Sequence, residues 1–156
     1  MKINPEQASH LIYLIDWVRR TNGPVVELGI GFGSTPILHE LCRDRKLVSY
    51  ENKPRFFAEF ARYASPWHEM KFVESWDKAE LECPWSVAFV DSWPGPSRPE
   101  LIKRLRPWAD YLIIHDTEKR HDRYYHMKDL IRTFRYRVTY KAWEPYTSVV
   151  SDRCPL

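Results

Sequence analysis

The stretch Val25-Val26-Glu27-Leu28-Gly29-Ile30-Gly31-Phe32-Gly33-Ser34-Thr35-Pro36 decides the fold of this chain. Two β-branched residues run into an acid, three glycines follow at every second position, and a hydroxyl pair precedes a proline able to open a helix. These residues spell a strand, a tight turn and a helix start, with almost no side-chain bulk at the bend. Such a bend brings backbone N–H groups and a helix N-terminus close to a ligand, usually a nucleotide-like one. The chain holds only five glycines in 156 residues, so three of them in one turn carry information.

Working outward, Asn4 and Pro5 are a helix cap and first turn, and Ala8, Leu11, Ile12, Ile15 and Val18 recur at helical spacing until Asn22-Gly23 stops them. Strands are expected at 24–28, 46–51, 70–74, 85–91 and 111–115, separated by helices from about Thr35, over 54–63 and over 99–105. A helix over 122–134 follows, then strands at 136–143 and 147–151 joined tightly at Glu144-Pro145. One strand of that terminal pair must run antiparallel. Strands alternating with helices predict an α/β fold: a doubly wound, mostly parallel seven-stranded sheet with helices on both faces and a C-terminal antiparallel hairpin. Residues 1–156 read as one domain, with the helix of residues 1–22 as a candidate lid.

Composition narrows the function classes. Hydrophobic residues make up 44% and charged residues 29%, the balance of a soluble globular domain. The net charge of +3 lacks the dense basic block of a dedicated nucleic-acid binder. Three scattered cysteines in no CxxC arrangement suggest neither a disulfide framework nor a zinc site, and fit a reducing cytoplasm. No run has the length or apolarity of a signal peptide or a membrane span, so no membrane partner is expected.

In open α/β sheets ligands bind beyond the carboxyl ends of the strands, at the point where strand order reverses. The chemistry-bearing residues gather there: Glu27 and the glycines after the first strand, Glu51 after the second, Trp76 and Asp77 after the third, Asp91 after the fourth, His115 and Asp116 after the fifth. Glu51 stands 22 positions beyond Gly29, the distance at which an acid commonly accepts hydrogen bonds from ribose hydroxyls. A dinucleotide fingerprint wants Gly or Ala at the sixth position of G-x-G-x-x-G/A, and Ser34 stands there instead.

The E-x-G-x-G-x-G pattern, with Glu51, Ser75-Trp76-Asp77, Asp91 and the terminal hairpin in order, resembles the class I S-adenosylmethionine-dependent methyltransferases from about Gly23 to Ser151. The resemblance implies a Rossmann-like methyltransferase fold and S-adenosyl-L-methionine as cofactor. It assigns cofactor contacts to Glu27, Gly29, Gly31, Phe32, Gly33, Ser34 and Thr35 around the methionine end. Glu51 with Asn52 falls at the ribose, Ser75, Trp76 and Asp77 at the adenine, and Asp91 with Trp93 near the methionine side chain. For Phe32 the residues themselves suggest packing against strand neighbours, and for Trp76 and Trp93 a place in the core is the competing role.

Val87-Ala88-Phe89-Val90-Asp91-Ser92-Trp93 and Leu112-Ile113-Ile114-His115-Asp116-Thr117 are further similar to the cation-dependent catechol and sugar O-methyltransferases. That similarity implies Mg²⁺ held by Asp91, Asp116 and Thr117, with Asp91, His115 and Asp116 as catalytic residues. Thr117 stands where the family has an amide, and Pro94 where the catechol enzymes have a lysine base; His115 and His121 are the nearest bases. Without the metal, Asp91 would hold the cofactor's ammonium and Asp116 would cap the next turn. The segment 118–126 is a solvated helix start or, through Arg120, Arg123 or Tyr124, a recognition surface.

An Asn/Asp-Pro-Pro-Tyr tetrad, which marks methylation of planar nitrogens in the family, is absent, so an oxygen acceptor is expected on a small molecule, glycan or natural product. Two alternatives stay open. A nucleic-acid methyltransferase fits pI 8.7 and the arginines at 132, 135 and 137. A non-catalytic nucleotide-binding module fits the glycine turn alone. A homodimer could complete so open a pocket.

Overall fold

The computed structural model describes residues 9–156. The expected cap at Asn4, Pro5 and the helical residue Ala8 lie outside the described residues. The elements run α1 (Leu11–Arg19), β1 (Val25–Leu28), α2 (Ser34–Leu41), β2 (Leu47–Glu51), α3 (Pro54–Phe60), β3 (His68–Phe72), β4 (Trp85–Val90), α4 (Arg98–Leu105), β5 (Ala109–His115), α5 (Lys119–Tyr125), α6 (Lys128–Arg132), β6 (Tyr136–Tyr140) and β7 (Thr147–Ser151). They form one seven-stranded sheet in the order β3-β2-β1-β4-β5-β7-β6. Strands β1 to β5 pair in parallel, and β7 runs antiparallel to both β5 and β6.

Both sheet faces are covered, which is why the central strands read as unbroken apolar runs. On one face Val25, Val87, Phe89, Ile113 and Val149 pack with Leu14, Trp17 and Val18 of α1 and Leu38 of α2. On the other, Val26, Leu28, Ala88, Val90, Leu112 and Ile114 meet Leu101, Ile102 and Leu105 of α4 and Ile131 of α6. Burying each such side chain contributes about 1.5–3 kcal/mol. The described part of the N-terminal helix is therefore a covering layer, fixed by three buried apolar residues. No helix among the described residues is long and apolar enough to cross a membrane.

Three elements differ from the sequence pattern. The third strand starts at His68, because pairing with β2 sets its register: Leu47 faces His68 and Glu51 faces Phe72. This edge strand is half exposed, so its apolar alternation is weak. The single helix expected over 122–134 is two helices, broken at His126, whose φ of 54° is left-handed. Asp122 Oδ1 then accepts the Lys128 N–H at 2.7 Å and opens α6. Strand β6 stops at Tyr140, where its pairing with Thr147 ends.

Strand order reverses between β1 and β4, and the glycine turn lies at that point. Gly29 has a φ of 96°, and a Cβ there would stand 2.4 Å from the Asp91 carbonyl oxygen. The first glycine thus lets the ends of β1 and β4 touch. Gly29→Ala is expected to lose about 2 kcal/mol of stability, from the left-handed backbone and the clash. A melting temperature equal to the parent's would show that the turn does not depend on this contact.

Candidate functional site

Glu27 is buried and organises the turn. Its carboxylate accepts hydrogen bonds from Ser34 Oγ (2.5 Å), Thr35 Oγ1 (3.0 and 3.1 Å) and Ser49 Oγ (2.6 Å). Thr35 Oγ1 accepts the Gly31 N–H at 3.0 Å in turn. Burial pushes the Glu27 pKa up to about 7, and the three hydroxyls offset this only in part. Glu27 and Thr35 therefore shape the loop from behind, with no exposed surface of their own.

The face left for a ligand is backbone. The N–H groups of Phe32, Gly33 and Ser34 donate to no described residue. A Cβ on Gly31 would meet only Ser34 Oγ, at 3.9 Å, so that position has room on its open side. Phe32 packs on α3, its ring 4.9 Å from Phe60 and 6.4 Å from Phe56.

Glu51, at the end of β2, ties this turn to the next loop. Its Oε2 accepts the Ile30 N–H at 3.0 Å, and its Oε1 accepts those of Asn52 and Lys53 at 2.9 and 2.8 Å. Beside it, Asn52 Oδ1 is buried without a partner among the described residues. An unpaired buried acceptor calls for a donor. Trp76 sits in the core, its indole N–H donating to the Trp93 carbonyl at 2.9 Å, while Ser75 and Asp77 hydrogen-bond each other on the exposed rim. Trp93 is 55% exposed with Lys53 Nζ 4.8 Å above its ring, so it is the aromatic surface a ligand can reach.

Asp91 and Asp116 come together as expected, but around an arginine. Arg98, the first residue of α4, donates from Nη2 to Asp91 Oδ1 (2.7 Å) and from Nη1 to Asp116 Oδ2 (3.0 Å). Its remaining bonds go to the carbonyls of Ser92 and His115, both at 2.9 Å, and Tyr125 lies over the guanidinium at 5.0 Å. The third expected metal ligand, Thr117 Oγ1, is taken by the Ser148 hydroxyl at 2.9 Å. Mg²⁺ demands near-octahedral oxygens at about 2.0–2.1 Å. Asp91, Asp116 and Thr117 do not present that set, because a fixed cation already joins the two carboxylates.

His115 lies behind these acids. Ser9 gives its hydroxyl hydrogen to the Pro145 carbonyl (2.8 Å), so at 3.1 Å it must accept from His115 Nε2–H. His115 Nδ1 is left 3.4 Å from Asp91 Oδ1 and 3.3 Å from Asp116 Oδ1. Burial works against a charge on this ring, but the two carboxylates prevail and raise its pKa. Burial likewise opposes ionisation of Asp91, yet His115 and Arg98 hold its carboxyl well below the usual carboxylate range. With Nε2–H given to Ser9 and Nδ1 turned to two carboxylates, His115 is poorly placed to take an acceptor's proton. His121 is more open: its Nδ1 lies 2.8 Å from Glu118 Oε1, and Glu118 Oε2 accepts the Tyr146 N–H at 2.9 Å.

Sequence patterns gave no sign of Arg98, seven residues beyond Asp91, and marked His121 as a candidate base without its pairing to Glu118. Only the unusual placement of an arginine after a Pro/Gly loop could have drawn attention to the first. His10 has no partner pattern in the sequence either. Its ring lies 4.6 Å from His115 and 4.8 Å from Phe89, and burial foremost, with His115 adding, drives its pKa down to about 3.

No protein-family model matches the chain, and neither does any curated protein sequence. Solved structures do match. A Klebsiella pneumoniae protein described as an O-methyltransferase superposes with a TM-score of 0.68 at 14% identity, covering 97% of this chain and 82% of its own. The Methanococcus jannaschii fibrillarin pre-rRNA processing protein gives 0.66 at 15% identity, with 99% and 82% covered. The N-terminal domain of human METTL16, solved in complex with SAH (S-adenosylhomocysteine), gives 0.63 at 10%, with 99% and 73% covered. At these identities the likeness concerns architecture: the chain has the Rossmann-like fold of the S-adenosylmethionine-dependent methyltransferases.

Proposed function

We propose that this protein is an S-adenosylmethionine-dependent methyltransferase that transfers to an oxygen on a small-molecule, glycan or natural-product acceptor without a bound metal. The observation that carries this is the row of N–H groups at Phe32, Gly33 and Ser34 that donate to no described residue, in a turn with room for a Cβ at Gly31, together with the unpartnered Asn52 Oδ1. Such a row suits the cofactor's carboxylate. Glu51 Oε2 accepts one N–H and keeps a lone pair for a ribose hydroxyl. Ser75, Asp77 and the ring of Trp93 are exposed and are the remaining groups we assign to the cofactor.

When bound, the cofactor supplies the methyl group on a sulfonium, and the protein's work is positioning. Arg98 fixes Asp91 and Asp116 as the floor of the acceptor side. His121, backed by Glu118, takes the acceptor's proton. His121→Gln is then expected to lower turnover about a hundredfold at neutral pH while leaving cofactor affinity intact. Equal turnover in the variant would remove the residue from the chemistry.

Calorimetry with S-adenosylhomocysteine tests the central claim. Binding heat should appear and stay unchanged with a chelator. Gly31→Ala, which has room for its methyl, should melt like the parent yet bind the ligand more weakly. Absence of heat in the parent would refute the assignment. Binding that collapses with the chelator would restore a metal.

A further inference from the structure

A cavity of about 390 Å³ lies between the outer strands β6–β7 and helices α5–α6. It serves none of the roles above. Its lining mixes the hydroxyls of Thr117, Thr139 and Ser148 with the apolar Ile131 and Val138 and with Tyr146. Thr139 and Ser148 are register partners whose hydroxyls lie 2.8 Å apart, and Ser148 Oγ donates to Thr117 Oγ1 at 2.9 Å. A row of three hydroxyls thus runs from β6 across β7 to the loop after β5 and ends one residue from Asp116.

The walls are basic. Lys119, Lys128, Arg132, Arg137 and Lys141 line the cavity against two acids, Glu118 and Asp122. The lining thus carries a surplus of three positive charges. Both acids are occupied: Glu118 by His121 and the Tyr146 N–H, Asp122 by the Lys128 N–H that opens α6. Lys119, Lys128, Lys141 and Arg137 form no ion pair with any described residue, and the Arg132–Asp129 contact is long, at 3.4 Å, and exposed. Ser148 gives its hydrogen to Thr117, so Thr139 gives its own to Ser148 and only the Thr117 hydroxyl keeps one to offer. Unpaired cations beside it suit an anion with several acceptor oxygens, which takes its hydrogen bonds chiefly from the cations.

We propose that this cavity binds a phosphate group carried by a small molecule. Its volume suits a sugar phosphate or a nucleotide. Because it opens beside Asp116 and Thr117, it lies on the acceptor side of the methyltransferase site; that placement, though not the anion site itself, rests on the function proposed above. The cations line one cavity of bounded volume, which favours a compact phosphorylated ligand over a nucleic-acid strand.

The test is titration of the intact protein with inorganic pyrophosphate at low salt, followed by calorimetry, for the parent and for Lys128→Gln/Arg137→Gln. Both substituted side chains are exposed, and melting temperature checks the fold. The parent should bind pyrophosphate, and the double variant about tenfold or more weakly, while its affinity for S-adenosylhomocysteine is unchanged. No binding by the parent, or binding that survives the double substitution, would overturn the proposal. So would a single-stranded oligonucleotide whose affinity grows with length and which pyrophosphate fails to displace, since that describes an extended nucleic-acid surface. Pyrophosphate binding by a parent that ignores S-adenosylhomocysteine would keep this site and dismiss the methyltransferase assignment alone.

Discussion

Arg98→Ala is expected to lose about 3–5 kcal/mol of stability, the usual cost of removing one partner from a buried ionic cluster. The guanidinium is 4% exposed, and the side chains of Asp91 and Asp116 are only 29% and 15% exposed, so water compensates little for its removal. For a chain of this size that corresponds to a fall in melting temperature of about 10 °C. A second result should accompany it. With the fixed cation gone, two facing carboxylates become an attractive site for Mg²⁺ or Ca²⁺, so millimolar divalent metal should raise the melting temperature of Arg98→Ala and leave the parent unmoved. If the parent gains as much as the variant, the arginine is not standing in for a metal. A neutral response from both would mean that the acids are held apart by other bonds.

Glu27→Gln is the second large effect, and its sign depends on pH. The buried carboxyl binds its proton more tightly in the folded protein, with a pKa of about 7 against 4.5 for the free side chain. Between those values the folded state holds more protons than the unfolded one, so this group's contribution is complete below about pH 4.5 and lost as pH rises to about 7. The difference amounts to about 3 kcal/mol. His10 and His68 act in the opposite sense, since burial foremost lowers them to about 3 and about 4; their contribution is present above about pH 6.5 and falls away in acid. Subtracting the two stability curves isolates Glu27. The variant should gain on the parent steadily as pH climbs from about 4.5 to about 7, then run parallel to it. A difference independent of pH would show that Glu27 keeps an ordinary pKa.

The surroundings of Glu27 explain why this acid is worth the measurement. Ser49 gives its hydrogen to Glu27, so at 2.8 Å it must accept from His68 Nε2–H. His68 Nδ1 then accepts from His39 Nδ1–H at 3.1 Å. The chain of bonds runs from a half-buried histidine on α2 to the carboxylate beneath the glycine turn. Titrating Glu27 therefore bears on the hydroxyls of Ser34 and Thr35, and through Thr35 on the N–H of Gly31.

Much of the fold was legible because its causes are local or periodic. The apolar runs of β1, β4 and β5 announce strands covered on both faces, and the Gly29-Ile30-Gly31-Phe32-Gly33 turn announces the switch point. The third strand and the 122–134 helix depart from the sequence pattern where the deciding force is not local. Pairing with β2 sets where β3 begins, and a left-handed His126 splits the helix. The site divides in the same way. The sequence alone determined that Glu27, Glu51, Asp91, His115 and Asp116 stand along one edge of a parallel sheet, since each closes or follows a strand. Only the tertiary structure decided what each of them meets. Glu27 spends its oxygens on three hydroxyls, Trp76 goes into the core, and Arg98 fills the gap between the two acids. These outcomes depend on distances between residues far apart in the chain, and neither spacing nor residue type encodes a distance through space.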